Sequence, residues 1–101
     1  MAEVTVTTLD QLENRELASF DVRGNRVAIA RVGDALYGFG DICTHRECSL
    51  SKGNLEATTV TCPCHGSQFD VTSGAVVRGP ALEPVRRYPV RLEGSSLLVE
   101  V

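Results

Sequence analysis

All four cysteines and both histidines of this 101-residue chain fall between Cys43 and His65, which leaves about three quarters of the sequence without either. A disulfide-stapled secreted domain scatters its cysteines through the fold, because its bridges replace a core it cannot build. Here the soft, metal-ligating side chains are gathered in two short segments, Cys43-Thr44-His45-Arg46-Glu47-Cys48 and Cys62-Pro63-Cys64-His65-Gly66-Ser67. The remainder of the chain must act as a scaffold that brings two loops to one place. That distribution points to a metal site.

The scaffold reads as short strands separated by turn chemistry, an all-β pattern of the small sandwich or barrel type. Val4, Val6 and Thr8 alternate with polar partners in a first strand. Leu9 to Leu17 has a short helical or turn-like character, with Leu9 and Leu12 at i, i+3 spacing and Asp10 as a capping candidate. Leu17–Val22 and Arg26–Val32 flank Arg23-Gly24-Asn25, a hairpin turn, and Gly33-Asp34 leads into Leu36–Phe39. Residues 41–54 lose the alternation. Thr58–Thr61 and Gln68–Val71 resume it on either side of the second Cys/His segment, and Thr72-Ser73-Gly74 turns the chain into Ala75–Val77. Gly79–Pro84 is expected to be irregular because its two prolines remove ladder donors. Val85–Leu92 and Leu97–Val101 are expected to pair across Gly94-Ser95-Ser96.

Cys43 and His45 are two residues apart, and Cys62 and His65 three apart, so each tight loop can present one thiolate and one imidazole. A four-ligand set of two Cys and two His suits a tetrahedral structural zinc. It equally suits a 2Fe–2S cluster in which two imidazoles replace two thiolates on one iron. Zinc-finger spacings pair Cys with Cys and His with His, whereas each loop here carries one of each, the arrangement of an asymmetric cluster.

Cys43-x-His45, sixteen intervening residues and then Cys62-x-x-His65 resemble the signature of the Rieske 2Fe–2S family. The likeness extends to Gly66, to Gly79-Pro80-Ala81 and to the strand layout of nearly the whole chain. It implies one domain over residues 1–101, with a cluster-binding subdomain at about 41–80. It also implies one cluster per chain, with Cys43 and Cys62 on one iron and His45 and His65 on the other. Gly79–Pro84 corresponds to the family's proline-containing third loop, which covers the cluster from one side. Cys48 and Cys64 stand where Rieske proteins of respiratory cytochrome bc complexes carry a disulfide between the two cluster loops. Many soluble Rieske ferredoxins lack that pair, and a reducing cytoplasm favours free thiols, but the proximity a cluster forces on the two loops raises their effective concentration, so a Cys48–Cys64 disulfide is expected. Ser67 stands where high-potential relatives use a hydroxyl to hydrogen-bond a bridging sulfide; a turn serine serving its local backbone is the alternative. Those relatives carry a tyrosine two residues later, where this chain has Phe69. One donor kept and one lost implies an intermediate or low potential within the Rieske span.

Two thiolates and two neutral imidazoles leave an oxidised 2Fe–2S cluster uncharged overall, so one electron makes it an anion. A four-cysteine cluster already carries two negative charges and is harder to reduce, which is why imidazole ligation raises the potential. Nothing else in the chain marks a substrate-transforming site. There is no further histidine for a mononuclear iron and no glycine fingerprint for a nucleotide. Asp41 with Glu47, and Asp34 with Glu56, read as solvated surface charge. Tyr37, Phe39, Phe69 and Tyr88 read as core or loop supports, and Arg86-Arg87 as an exposed strand end.

The net charge of −3 argues against nucleic acid. No apolar run approaches a membrane span and no signal peptide is evident after Met1, so a soluble cytoplasmic monomer is expected. The resemblance implies a non-enzymatic electron carrier of the kind found in multicomponent ring-hydroxylating oxygenases. Such a carrier takes electrons from a flavin-dependent NAD(P)H reductase and passes them to a terminal Rieske oxygenase. The alternatives are a small accessory subunit of an assimilatory nitrite reductase and a zinc-stabilised interaction module.

Overall fold

The computed structural model describes residues 3–8, 16–44 and 48–101. Among the described residues, eleven strands form three antiparallel sheets. The central sheet orders β2 (Leu17–Val22), β3 (Asn25–Val32), β4 (Ala35–Gly40) and β9 (Arg87–Tyr88) side by side. A second sheet places β11 (Ser96–Glu100) between β1 (Glu3–Thr8) and β10 (Val90–Glu93). The third is a meander of β5 (Asn54–Glu56), β6 (Thr59–Thr61), β7 (Gln68–Asp70) and β8 (Val76–Arg78). This is the all-β architecture expected from the alternation. The helical or turn-like stretch expected from Leu9 onward falls mainly on residues 9–15, outside the described residues.

β3 explains how the sheets combine. Its residues Val27–Ala30 are all buried, so the strand is covered on both faces. Because successive side chains point to opposite faces, Val27 and Ile29 join a core with Val22, Leu97 and Val99, toward the β1–β11–β10 sheet. Ala28 and Ala30 join a second core with Phe39, Val60, Phe69 and the sulfurs of Cys43 and Cys62. The small alanines face the side where the two ligand loops gather.

The structure corrects three expectations about the strands. Asn25 is not part of its turn: Arg23 and Gly24, both with positive φ (53° and 82°), close a two-residue hairpin, and Asn25 pairs with Val22. Asn54–Glu56 forms a strand although it shows no apolar alternation, because it pairs with β6. Val85–Leu92 is not one strand. Pro89 has no N–H to donate, and the chain changes sheets there, with Tyr88 opposite Gly38 and Val90 opposite Val99. Gly38 is required at this crossing, since a Cβ would collide with the Tyr88 carbonyl and the Val90 side chain. Gly79–Pro84 is irregular, as its prolines imply, with the Gly79–Pro80 peptide bond in the cis form.

Candidate metal centre

The ends of both six-residue ligand segments are held together as the bases of hairpins. Residues 43–48 are bracketed by an antiparallel bridge between Ile42 and Ser49, and residues 62–67 by the pairing of Thr61 with Gln68. The N–H of Cys43 donates to the carbonyl of Cys48 at 2.9 Å, and the N–H of Cys62 donates to the carbonyl of Ser67 at 2.7 Å. Each loop is thus closed from its first residue to its sixth, with a cysteine in first place. In the second loop Gly66 (φ 77°) turns the chain back, a conformation that costs a side-chain-bearing residue more. The two tips are brought together by β5, which leaves the first loop and pairs with β6, which enters the second. Gly53 sits at that junction without room for a Cβ, against the carbonyl of Thr61.

Cys43 and Cys62 are free, buried thiols within one apolar core. Cys48 and Cys64 are joined by a disulfide with Cα atoms 6.4 Å apart, which ties the first loop to the second, as the resemblance implied. The sulfur of Cys62 lies within 4.8 Å of both disulfide sulfurs, so the bridge packs directly against this thiol. His65 is exposed in the turn of the second loop. His45 lies outside the described residues, as does Glu47. Two dry thiols at equivalent positions of paired loops, with an imidazole at the outer tip, form a donor set suited to a 2Fe–2S cluster.

The third loop is fastened to both others. The Ser67 hydroxyl accepts from the Ala81 N–H at 3.0 Å in the buried interior. The Thr44 hydroxyl donates to the carbonyl of Glu83 at 2.7 Å. Ser67 thereby holds a segment fourteen residues away. Beyond these anchors Leu82 projects into solvent, 93% exposed. Phe69 is fully buried in the core that contains Cys43 and Cys62, and with Phe39 and Tyr88 it bears out the reading of the aromatics as supports. Arg87 is exposed, and Arg86 lies over the Tyr88 ring at 5.2 Å.

Asp41 is a correction. It is not solvated surface charge but fully buried, whereas Asp34 and Glu56 are exposed. Its carboxylate accepts from the Arg26 guanidinium at 3.1 Å, from the Ser51 N–H at 2.8 Å and from the Ser49 hydroxyl. Thr44 and Asp41 are the two site residues that sequence reasoning missed. Thr44 carried no signal, because its partner is thirty-nine residues away. Asp41 carried a weak one, standing two residues before Cys43 with serines following the loop.

The whole chain has close counterparts. It is 34% identical over 93 residues to the anthranilate 1,2-dioxygenase ferredoxin subunit of Burkholderia cepacia, covering 92% of this chain and 86% of that protein. Among solved structures it superposes on the ferredoxin of carbazole 1,9a-dioxygenase from Nocardioides aromaticivorans with a TM-score of 0.93 and 38% identity, over 99% of this chain and 98% of that one. A complex of reduced oxygenase and oxidised ferredoxin in carbazole 1,9a-dioxygenase matches with a TM-score of 0.90 and 28% identity, over 97% of this chain and 92% of the other. Residues 2–89 match the Rieske 2Fe–2S domain. With its paired loops, buried thiols and interloop disulfide, the chain belongs to the Rieske 2Fe–2S family.

Proposed function

We propose that this chain is a one-electron carrier that takes electrons from a flavin-dependent NAD(P)H reductase and delivers them to a terminal oxygenase of a ring-hydroxylating system. In this reading Cys43 and Cys62 hold the inner iron, and His45 and His65 the outer one. Residues 41–80 form the cluster-binding part of a single domain, and the protein works as a cytoplasmic monomer. The observation that carries the reading is the pair of free, buried thiols at equivalent first positions of two identically closed loops, with His65 exposed at the tip. Relatives named as ferredoxin subunits of dioxygenase systems, and a ferredoxin bound to its oxygenase, support it.

When bound, the cluster supplies reversible one-electron chemistry between a neutral and an anionic state. The chain's own contribution is placement. Burial keeps water from both thiols, and the disulfide and the Ser67–Ala81 and Thr44–Glu83 bonds hold the three loops as one unit. The exposed His65 ring offers an edge through which an electron can pass to a docked partner. Among the described residues no helix is long and apolar enough to cross a membrane.

Iron and acid-labile sulfide analysis of the purified protein, with EPR of the dithionite-reduced sample, tests the assignment. Two irons and two sulfides per chain are expected, with a reduced-state signal that disappears in His45→Leu and in His65→Leu. Zinc without sulfide, or a signal unchanged by either substitution, refutes it. Product formation by a terminal ring-hydroxylating oxygenase with NAD(P)H and a flavin reductase should depend on adding this chain.

A further inference from the structure

Asp41 is the only charged side chain among the described residues that is buried. A carboxylate withdrawn from water is costly unless it is fully paired, and this one is held on every side. Arg26 donates to Oδ2 through its guanidinium, and the Arg26 carbonyl accepts from the Asp41 N–H at 3.0 Å. On the other side of the first ligand loop, Ser51 N–H donates to Oδ1 and the Ser49 hydroxyl to Oδ2, while the Asp41 carbonyl accepts from Leu50 N–H at 2.6 Å. One residue therefore grips the entering and returning arms of the 43–48 loop and fastens both to β3. Ile42 alone separates it from Cys43 on one arm. On the other arm, Ser49 follows Cys48, which is bonded to Cys64 of the second loop.

We propose that Asp41 is the positioning residue of the first ligand loop, and that its ion pair with Arg26 neutralises the fixed charge two residues before Cys43 when the cluster is reduced. The proposal rests on the reading of Cys43 as a cluster ligand. Its physical basis is that reduction adds a negative charge to a site close in sequence to a buried anion, where the low dielectric screens weakly. With Arg26 in place the two fixed charges nearly cancel. Removing either partner leaves the other uncompensated, and the two removals act with opposite sign. A lone Asp41 carboxylate opposes reduction; a lone Arg26 guanidinium, half-exposed at 49%, favours it more weakly.

The test compares the cluster-loaded parent with Arg26→Gln, Asp41→Asn and the double variant, reading iron and sulfide content, midpoint potential by voltammetry and the rate of cluster loss in mild denaturant. Arg26→Gln should lower the potential, Asp41→Asn should raise it, and the double variant should return towards the parent. Cluster loss should be faster in Asp41→Asn than in Arg26→Gln, because only Asp41 also holds Ser49 and Ser51. A residue important for folding alone would move both variants the same way. Potentials that shift together, or not at all, in fully loaded variants overturn the proposal while leaving the electron-carrier reading intact. A parent without iron and sulfide overturns both. Should Asp41→Asn fail to fold, the half-exposed partner keeps the proposal testable: Arg26→Gln must lower the potential and Arg26→Lys must restore it, and an unshifted Arg26→Gln overturns it.

Discussion

The hydroxyl of Ser67 accepts a hydrogen bond from the N–H of Ala81 at 3.0 Å, and both residues are buried. The last residue of the second ligand loop thereby carries the loop that follows β8. A serine hydroxyl has one donor hydrogen as well as its lone pairs, and accepting from Ala81 does not consume that hydrogen. Serving as a structural anchor is therefore compatible with donating to a cluster sulfur.

Replacing Ser67 with Ala should separate these two effects. The Ala81 N–H is left buried without its acceptor, a loss of about 1–3 kcal/mol, visible as a lower denaturant midpoint. If the hydroxyl also donates to a sulfur, the midpoint potential falls as well, because the donor stabilises the more negative reduced state. Unfolding curves and voltammetry on the same preparation check both.

The Cys48–Cys64 bridge spans sixteen positions. Chain-entropy reasoning assigns a loop of about fifteen residues roughly 3 kcal/mol. Cys48→Ser should still assemble a cluster but lose it sooner, seen as faster bleaching of visible absorbance in denaturant. Prolonged treatment of the parent with a strong reductant should have the same effect. Failure to assemble any cluster would instead make Cys48 a ligand.

Gly74 closes the β7–β8 turn with φ at 82°, its carbonyl accepts from the Val85 N–H at 2.9 Å, and a Cβ there would collide with the Val85 carbonyl oxygen. It anchors the far end of the third loop. Gly74→Ala combines an unfavourable backbone conformation with a steric clash, so a loss on the order of 1–3 kcal/mol is expected. Chemical denaturation checks it, and hydrogen exchange should show protection lost first around residues 79–85.

At the same turn Asp70 accepts from both the hydroxyl (2.6 Å) and the N–H (2.8 Å) of Thr72, and these bonds, the hydroxyl's foremost, hold its carboxyl below the ordinary aspartate value of 3.8. A carboxyl with a depressed folded value binds fewer protons folded than unfolded. Its contribution to stability is present above the ordinary value and is lost as pH falls through the lower, folded one. Thr72→Val should lower stability at pH 7 and flatten the loss between about pH 4 and more acid conditions. Urea midpoints measured across that range test it, and identical acid slopes in parent and variant would contradict it.

What was legible in the residues was local. Strands with clean alternation or bounding turn residues, such as Leu17–Val22, Gln68–Asp70 and the closing hairpin, could be read because period and turn chemistry are short-range properties. The division of Val85–Leu92 was hidden, because only the partners on either side of Pro89 reveal that the chain changes sheets. The strand at Asn54–Glu56 was hidden for the same reason: it exists through β6, not through its own pattern.

The order of residues by itself determined which groups could hold a metal, since Cys and His occur nowhere else, and it determined the lengths of the two tips that present them. Only the tertiary structure decided that Cys43 and Cys62 lie buried in one core, that Cys48 meets Cys64, that Ser67 reaches Ala81 and that Asp41 is interior. Burial and long-range hydrogen bonding depend on which distant segments pack together, and spacing along the chain carries no record of that.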